Sequence, residues 1–280
     1  MFGRRILILF LLAGLLLGAD ACRRSDRGPE LMRLARQAAD RQQYQQAKLY
    51  LDTLRQTCAD APDRLKAGRR MLHEIELAEQ QRTCAYCDSL LAVRQAAFPA
   101  LQRDFVFQQN KDMESVGYYV HRRQQLNQNH SRTYLQTKVD ERGRLVLTSY
   151  YCGTSRLEHR QVRLTAPDGS YSETAVILPD GALNYTFNDG GLIYEAIRFD
   201  ESKAGHLVDF ALMHRGEDLQ ATLIGGRRNL SYPVRPADID ALAGACELSA
   251  TLSDISRLLD EIRLAQAKIL WLSQRTASAE

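Results

Sequence analysis

Cys84 and Cys87 form a C-x-x-C, a spacing that serves thiol redox centres and one half of a zinc site. A redox pair normally opens a helix after a strand, where the helix N-terminus lowers the pKa of the first thiol. Here the pair falls inside a long stretch of helical periodicity, on its apolar seam, which favours packing in a core. A disulfide to another helix and a thiol redox function are the other two readings. A zinc site needs a second ligand pair, and neither Cys58, Cys152 and Cys246 nor the histidines His73, His121, His130, His159, His206 and His214 supply one at motif spacing. No metal, no cofactor and no catalytic residue is therefore expected. Glu158 and His159 are adjacent on an expected strand, so they point to opposite faces and cannot cooperate directly. Asp238 and Asp240 stand at a helix start, where capping and the helix dipole account for them.

Tyrosines are the second chemical resource. Tyr118, Tyr119, Tyr134, Tyr150, Tyr151, Tyr171, Tyr185, Tyr194 and Tyr232 concentrate between residues 118 and 232. Strand alternation places one of each adjacent pair outward, free to stack on a sugar or a peptide. Tyr150, Tyr151, Tyr185 and Tyr194 are the candidate ligand contacts.

The third is Cys22. Arg4 and Arg5 precede an apolar run from Ile6 to Leu17, followed by Gly18-Ala19-Asp20-Ala21-Cys22, the three parts of an export signal. The run is short for a permanent span. Small residues directly before Cys22 suit a bacterial lipobox, in which Cys22 becomes the acylated first residue; Ala19-Asp20-Ala21 equally has the form of an ordinary secretory cleavage site. A multiply acylated Cys22 would hold the protein to a bacterial membrane, facing periplasm or outside. Five cysteines beyond it cannot all pair within one chain, so no disulfide framework is expected.

Charge excludes little except nucleic acid. Net charge is +3; residues 23–130 hold 18 basic and 13 acidic side chains and the remainder is slightly acidic, an imbalance that solvated helix faces produce routinely.

These residues sit on an expected α+β layout: a signal peptide over 1–21, a lipidated N-terminus and spacer over 22–29, a helical arm over 30–104, an antiparallel β domain over 105–235, a C-terminal coiled-coil helix over 236–275 and a tail over 276–280. Leu31, Leu34, Ala35 and Ala38, then Ala47, Tyr50, Leu51 and Leu54, predict two short helices closed by Pro62, a hairpin of tetratricopeptide type without a second copy. One long helix follows to about Arg103, bent near Pro99. Glycines rise from three over residues 23–130 to ten over 131–235, where strand and turn signals predict a sandwich or barrel of roughly eight to ten strands. Candidate strands include His159–Thr165, Leu192–Phe199 and Leu207–Met213. In the last helix Ala241, Ala245, Leu248, Leu252, Ile255, Leu259, Ile262, Gln266 and Ile269 alternate steps of four and three, a seam for the long first helix or for a homodimer.

Through Tyr44-Gln45-Gln46-Ala47, LHEIELAEQQR from Leu72, DSLLAVRQAAF from Asp88 and DFVFQ from Asp104, the chain resembles the uncharacterised cell-envelope lipoproteins of Bacteroidales. That resemblance implies an envelope address and a helix, sheet, helix layout, with no activity and no functional residue attached. Three functions are compatible with the sequence: a non-enzymatic, membrane-anchored scaffold holding the β domain on a helical stalk for a protein partner; a glycan- or peptide-binding module using the tyrosines; and, more remotely, an enzyme, either a thiol redox protein or a hydrolase whose groups converge only in space.

Overall fold

A computed structural model describes residues 27–109, 116–179 and 183–277. Cys22, the signal segment and residues 278–280 of the tail lie outside the described residues. The chain is α+β, with seven described helices and two antiparallel sheets that do not close. It divides into two compact units, residues up to 85 with 263 onward, and residues 86–262.

The first unit is built on α1 (Gly28–Asp40), α2 (Tyr44–Thr57) and the opening turns of α3 (Pro62–Gln102). Pro29 stands where a first turn tolerates it. Ala35, Ala38, Ala47, Leu51 and Leu54 bury one stripe of the hairpin against Met71 and Ile75 of α3. Small residues set how closely these helices approach: a Cβ on Gly68 would come within 2.8 Å of Leu54 Cδ2. Arg36 pairs with Glu74 and Lys48 with Glu79, both at 2.9 Å. The final turns of α7 (Pro236–Ala277) join this unit, with Leu272 buried and Trp271 edge-on to His73 at 6.5 Å.

In the second unit six strands follow the order β1-β2-β3-β4-β8-β7 and four the order β10-β9-β5-β6. Their ranges are β1 Phe105–Gln108, β2 Tyr118–His121, β3 Tyr134–Asp140, β4 Leu145–Gly153, β5 His159–Thr165, β6 Tyr171–Glu173, β7 Asn184–Asp189, β8 Leu192–Phe199, β9 Gln220–Gly225 and β10 Asn229–Pro233. Leu135, Leu147, Tyr151, Ile197 and Phe199 of the larger sheet share one core with Val162, Leu164, Ala221 and Leu223 of the smaller. This is a two-layer arrangement with free edges, so the barrel alternative is excluded. Helices α4 (Leu126–Asn129), α5 (Glu201–Ala204) and α6 (Leu207–Met213) link the strands.

Two local expectations are corrected. Leu207–Met213 is a helix: Leu207, Phe210 and Ala211 are buried, the i, i+3, i+4 pattern of a helical stripe. In α7 the seam holds from Ala241 to Leu252, then Leu258 and Ala265 are buried in place of Leu259 and Gln266; one three-residue step re-phases it. As expected, α3 runs through Pro99 to end near Arg103, at Gln102, and α7 continues to Ala277, two residues past the expected bound.

Within the second unit α3 and α7 pack on each other. Phe98 and Leu101 join Ala245, Leu248 and Leu252 in one cluster with Phe105 and Val139, and Arg94 pairs with Asp254 at 3.0 Å. From Ala245 to Leu252 the inner face of α7 is thus filled by its own chain.

Where β2 stops pairing, a side chain takes its place. Beyond the Val120↔Lys138 pair the Gln124 amide lies beside β3, donating to Leu135 O at 3.0 Å and accepting from Thr137 N at 3.1 Å.

Candidate functional site

On β4, β8 and β7 alternation and register bring most of the expected tyrosines to one face. Tyr134 pairs with Tyr150, Tyr150 with Ala196, and Ala196 with Tyr185, so these four form one row across the sheet. The next row is Cys152, Tyr194, Phe187. Tyr134 and Tyr150 stack at 5.1 Å, Phe187 and Tyr194 stack at 4.7 Å, and Tyr185 leans on Phe187 at 5.6 Å. Tyr150 and Tyr185 stand two strand spacings apart, about 9.5 Å, with only Ala196 between them.

One end of this face is covered and the other is open. Tyr134 is buried, with the Arg132 guanidinium 4.6 Å from its ring centre; burial raises its hydroxyl pKa. Tyr150 is half-buried, its hydroxyl pKa raised by burial. Tyr185 and Phe187 are 65% and 42% exposed. Arg198 reaches Tyr118 from the same sheet, its Nη2 donating to the hydroxyl at 3.1 Å. Tyr151 departs from the expectation. It faces the core, 3% exposed, and its hydroxyl donates to Ser155 O at 2.6 Å. It is a packing residue because strand alternation gave Tyr150 the outward position.

A second constellation joins three strands inside the unit. Ser149 Oγ lies 2.6 Å from His159 Nε2, and His159 Nδ1 lies 2.8 Å from Glu195 Oε2. Glu195 Oε1 accepts the backbone N–H groups of Leu157 at 2.7 Å and Glu158 at 2.9 Å, and Oε2 that of His159 at 3.2 Å. Three successive N–H groups converge because Glu158 adopts a left-handed φ of 53°, making the loop a backbone nest for an anion. Burial alone would raise the Glu195 pKa. Hydrogen bonds from His159 and the three amides outweigh it and hold the carboxyl down at about 2. An ionised Glu195 only accepts, so His159 Nδ1 donates to it, and in the neutral ring Nε2 accepts from the Ser149 hydroxyl.

That is the hydrogen-bonding order of a Ser–His–Glu triad. A nucleophile must also meet its substrate at about 3–3.5 Å, and Ser149 is 0% exposed. A cleft of about 280 Å³ touches His159 and Glu195 but is not walled by Ser149. The arrangement joins β4 and β8 of one sheet to the first residue of β5 in the other. Glu158 lies just before β5 with its left-handed φ, so the strand alternation expected for the pair does not apply to it, while His159 finds partners far along the chain. A sequence signal existed: Ile193, Glu195, Ile197 and Phe199 occupy one face of β8, and an acid in an apolar row needs a buried partner.

The other candidates stay apart from both groups. Cys87 is 2% exposed and its Sγ donates to Glu261 Oε2 at 3.3 Å; Cys84 is half-buried on the same helix, and none of the five described cysteines is in a disulfide. Burial pushes the Cys246 thiol up to about 11, with Asp209 adding to it. Among the described residues no cluster of His, Cys, Asp or Glu is placed to hold a metal ion, and no helix is long and apolar enough to cross a membrane. Compared with protein-family models, curated proteins and solved structures, the chain matches none.

Proposed function

We propose that this protein is a non-enzymatic binding protein of the bacterial cell envelope, anchored through an acylated Cys22, whose β unit engages a neutral glycan on the outer face of β4, β8 and β7. The observation that carries the reading is the pair of aromatic rows, in which Tyr150, Tyr185, Phe187 and Tyr194 share one face. Ring faces match the C–H faces of a sugar, and tyrosine hydroxyls answer its hydroxyl groups. Ala196 between Tyr150 and Tyr185 leaves a recess of sugar-ring width. The charges on this face of β4, β8 and β7 are Arg198 and, at the end of β7, Asp189; being of opposite sign, they leave the face without net charge, which favours an uncharged polymer over a charged one.

The test is a binding titration of the mature protein against a panel of neutral polysaccharides, repeated with Tyr185→Ala. Saturable binding that weakens by roughly tenfold per ring removed, about 1.4 kcal/mol, supports the reading. Binding to none of the panel, or equal binding by the Tyr185→Ala variant, removes it.

A further inference from the structure

The four edge strands of the two sheets are unequally guarded. An open edge presents unpaired backbone groups, and proteins blunt it with brevity, proline or charge. β1 has four residues, β6 has three, and β10 ends on Pro233. β7 has six, Asn184-Tyr185-Thr186-Phe187-Asn188-Asp189, with no proline, no basic residue and a single acid at its end. It closes the six-stranded sheet, all but its first residue are exposed, and among the described residues no strand ladders onto the outer side of Tyr185 to Asp189.

The residue pattern names an occupant. Two antiparallel copies of one strand, related by a two-fold axis, must pair residues of the same parity, because alternate residues direct their backbone groups outward. The axis therefore passes through a residue. Centred on Thr186, it sets Tyr185 opposite the second copy's Phe187 and Asn184 opposite its Asn188. Every ring meets a ring, a favourable cross-strand pair, and Asp189 falls outside the paired stretch. Centred on Phe187, it would set Tyr185 against Asp189 instead. We infer that β7 is a self-association edge, through which a second copy of this chain pairs antiparallel about Thr186 and joins two six-stranded sheets into one.

The inference does not rest on the glycan reading, since the edge uses backbone groups and glycan contact uses the outer ring surfaces. A cysteine on the axis is opposite itself, with Cα atoms about 4.5–5.5 Å apart, inside disulfide reach. The full mature chain carrying Thr186→Cys is oxidised mildly and run without reductant, beside the unsubstituted chain, whose own thiols give the background, and beside Asn188→Cys. A shift of the Thr186→Cys chain to twice its mass, with Asn188→Cys remaining at background, is the expected result. Chains bearing Asn184→Cys and Asn188→Cys, when mixed, should cross-link to each other. Thr186→Cys at background, or Asn188→Cys cross-linking equally well, overturns the inference. So does sedimentation equilibrium that finds the unsubstituted chain monomeric at every concentration, and it does so whether or not glycan binding is observed.

Discussion

Replacing Glu195 by Gln removes the charge on which the buried relay turns while keeping the side chain's shape. The carboxyl titrates at about 2 instead of the ordinary 4.5, and that displacement corresponds to about 3 kcal/mol of folding stability. A carboxylate with a depressed pKa stabilises fully above its unfolded value. Its contribution drains away as pH falls from about 4.5 to about 2, where both states carry the proton. Urea unfolding followed by tyrosine near-ultraviolet dichroism reads the correct unit, since the one tryptophan, Trp271, belongs to the other. At pH 7 the Glu195→Gln protein should be less stable by about 3 kcal/mol, and the two proteins should converge across that acid window. Equal midpoints at pH 7, or a gap that persists unchanged to pH 2, would refute the account of Glu195 as an ionised anchor in a backbone nest.

Two further outcomes follow from buried charge and from the export signal. Arg132 Nη2 donates to Asp238 Oδ2 in a largely buried pair, and burial already raises the Asp238 pKa against the opposing pull of Arg132. Arg132→Met should cost about 3–5 kcal/mol in urea unfolding near pH 8, and the deficit should shrink as pH falls and Asp238 takes up a proton. Mass spectrometry of the mature N-terminus from native membranes should find Cys22 first in the chain and carrying acyl mass; an unmodified Cys22 would make the protein a soluble periplasmic or secreted one.

Long, consistently periodic segments were legible in the sequence. His159–Thr165 and Leu192–Phe199 form strands with the expected bounds, because apolar alternation and turn residues on both sides agree. Leu207–Met213 carries two patterns at once: Val208, Phe210 and Leu212 alternate as in a strand, while Leu207, Phe210 and Ala211 make a helical stripe. Seven residues cannot decide between them; packing of the second set into the common core does. In α7 the adjacent Leu258 and Leu259 each continue a seam, and only the neighbouring surface selects Leu258. The clustering of tyrosines was visible, but not which would share rows, since register joins residues from four strands. Ser149, His159 and Glu195 were hidden more completely, because their partnership needs the second sheet laid against the first.

The order in which the chain is made gives α7 a particular position. Ile239 and Leu242 enter the common β core, Ala245 to Leu252 complete the cluster around Phe105, and Glu261 meets Cys87 across 174 residues. Each of these contacts waits for the final helix to emerge. Until then the apolar side of α3 and one wall of the β core have no cover from α7. A chain broken off before Pro236 would contain every described strand and still lack the element that seals them.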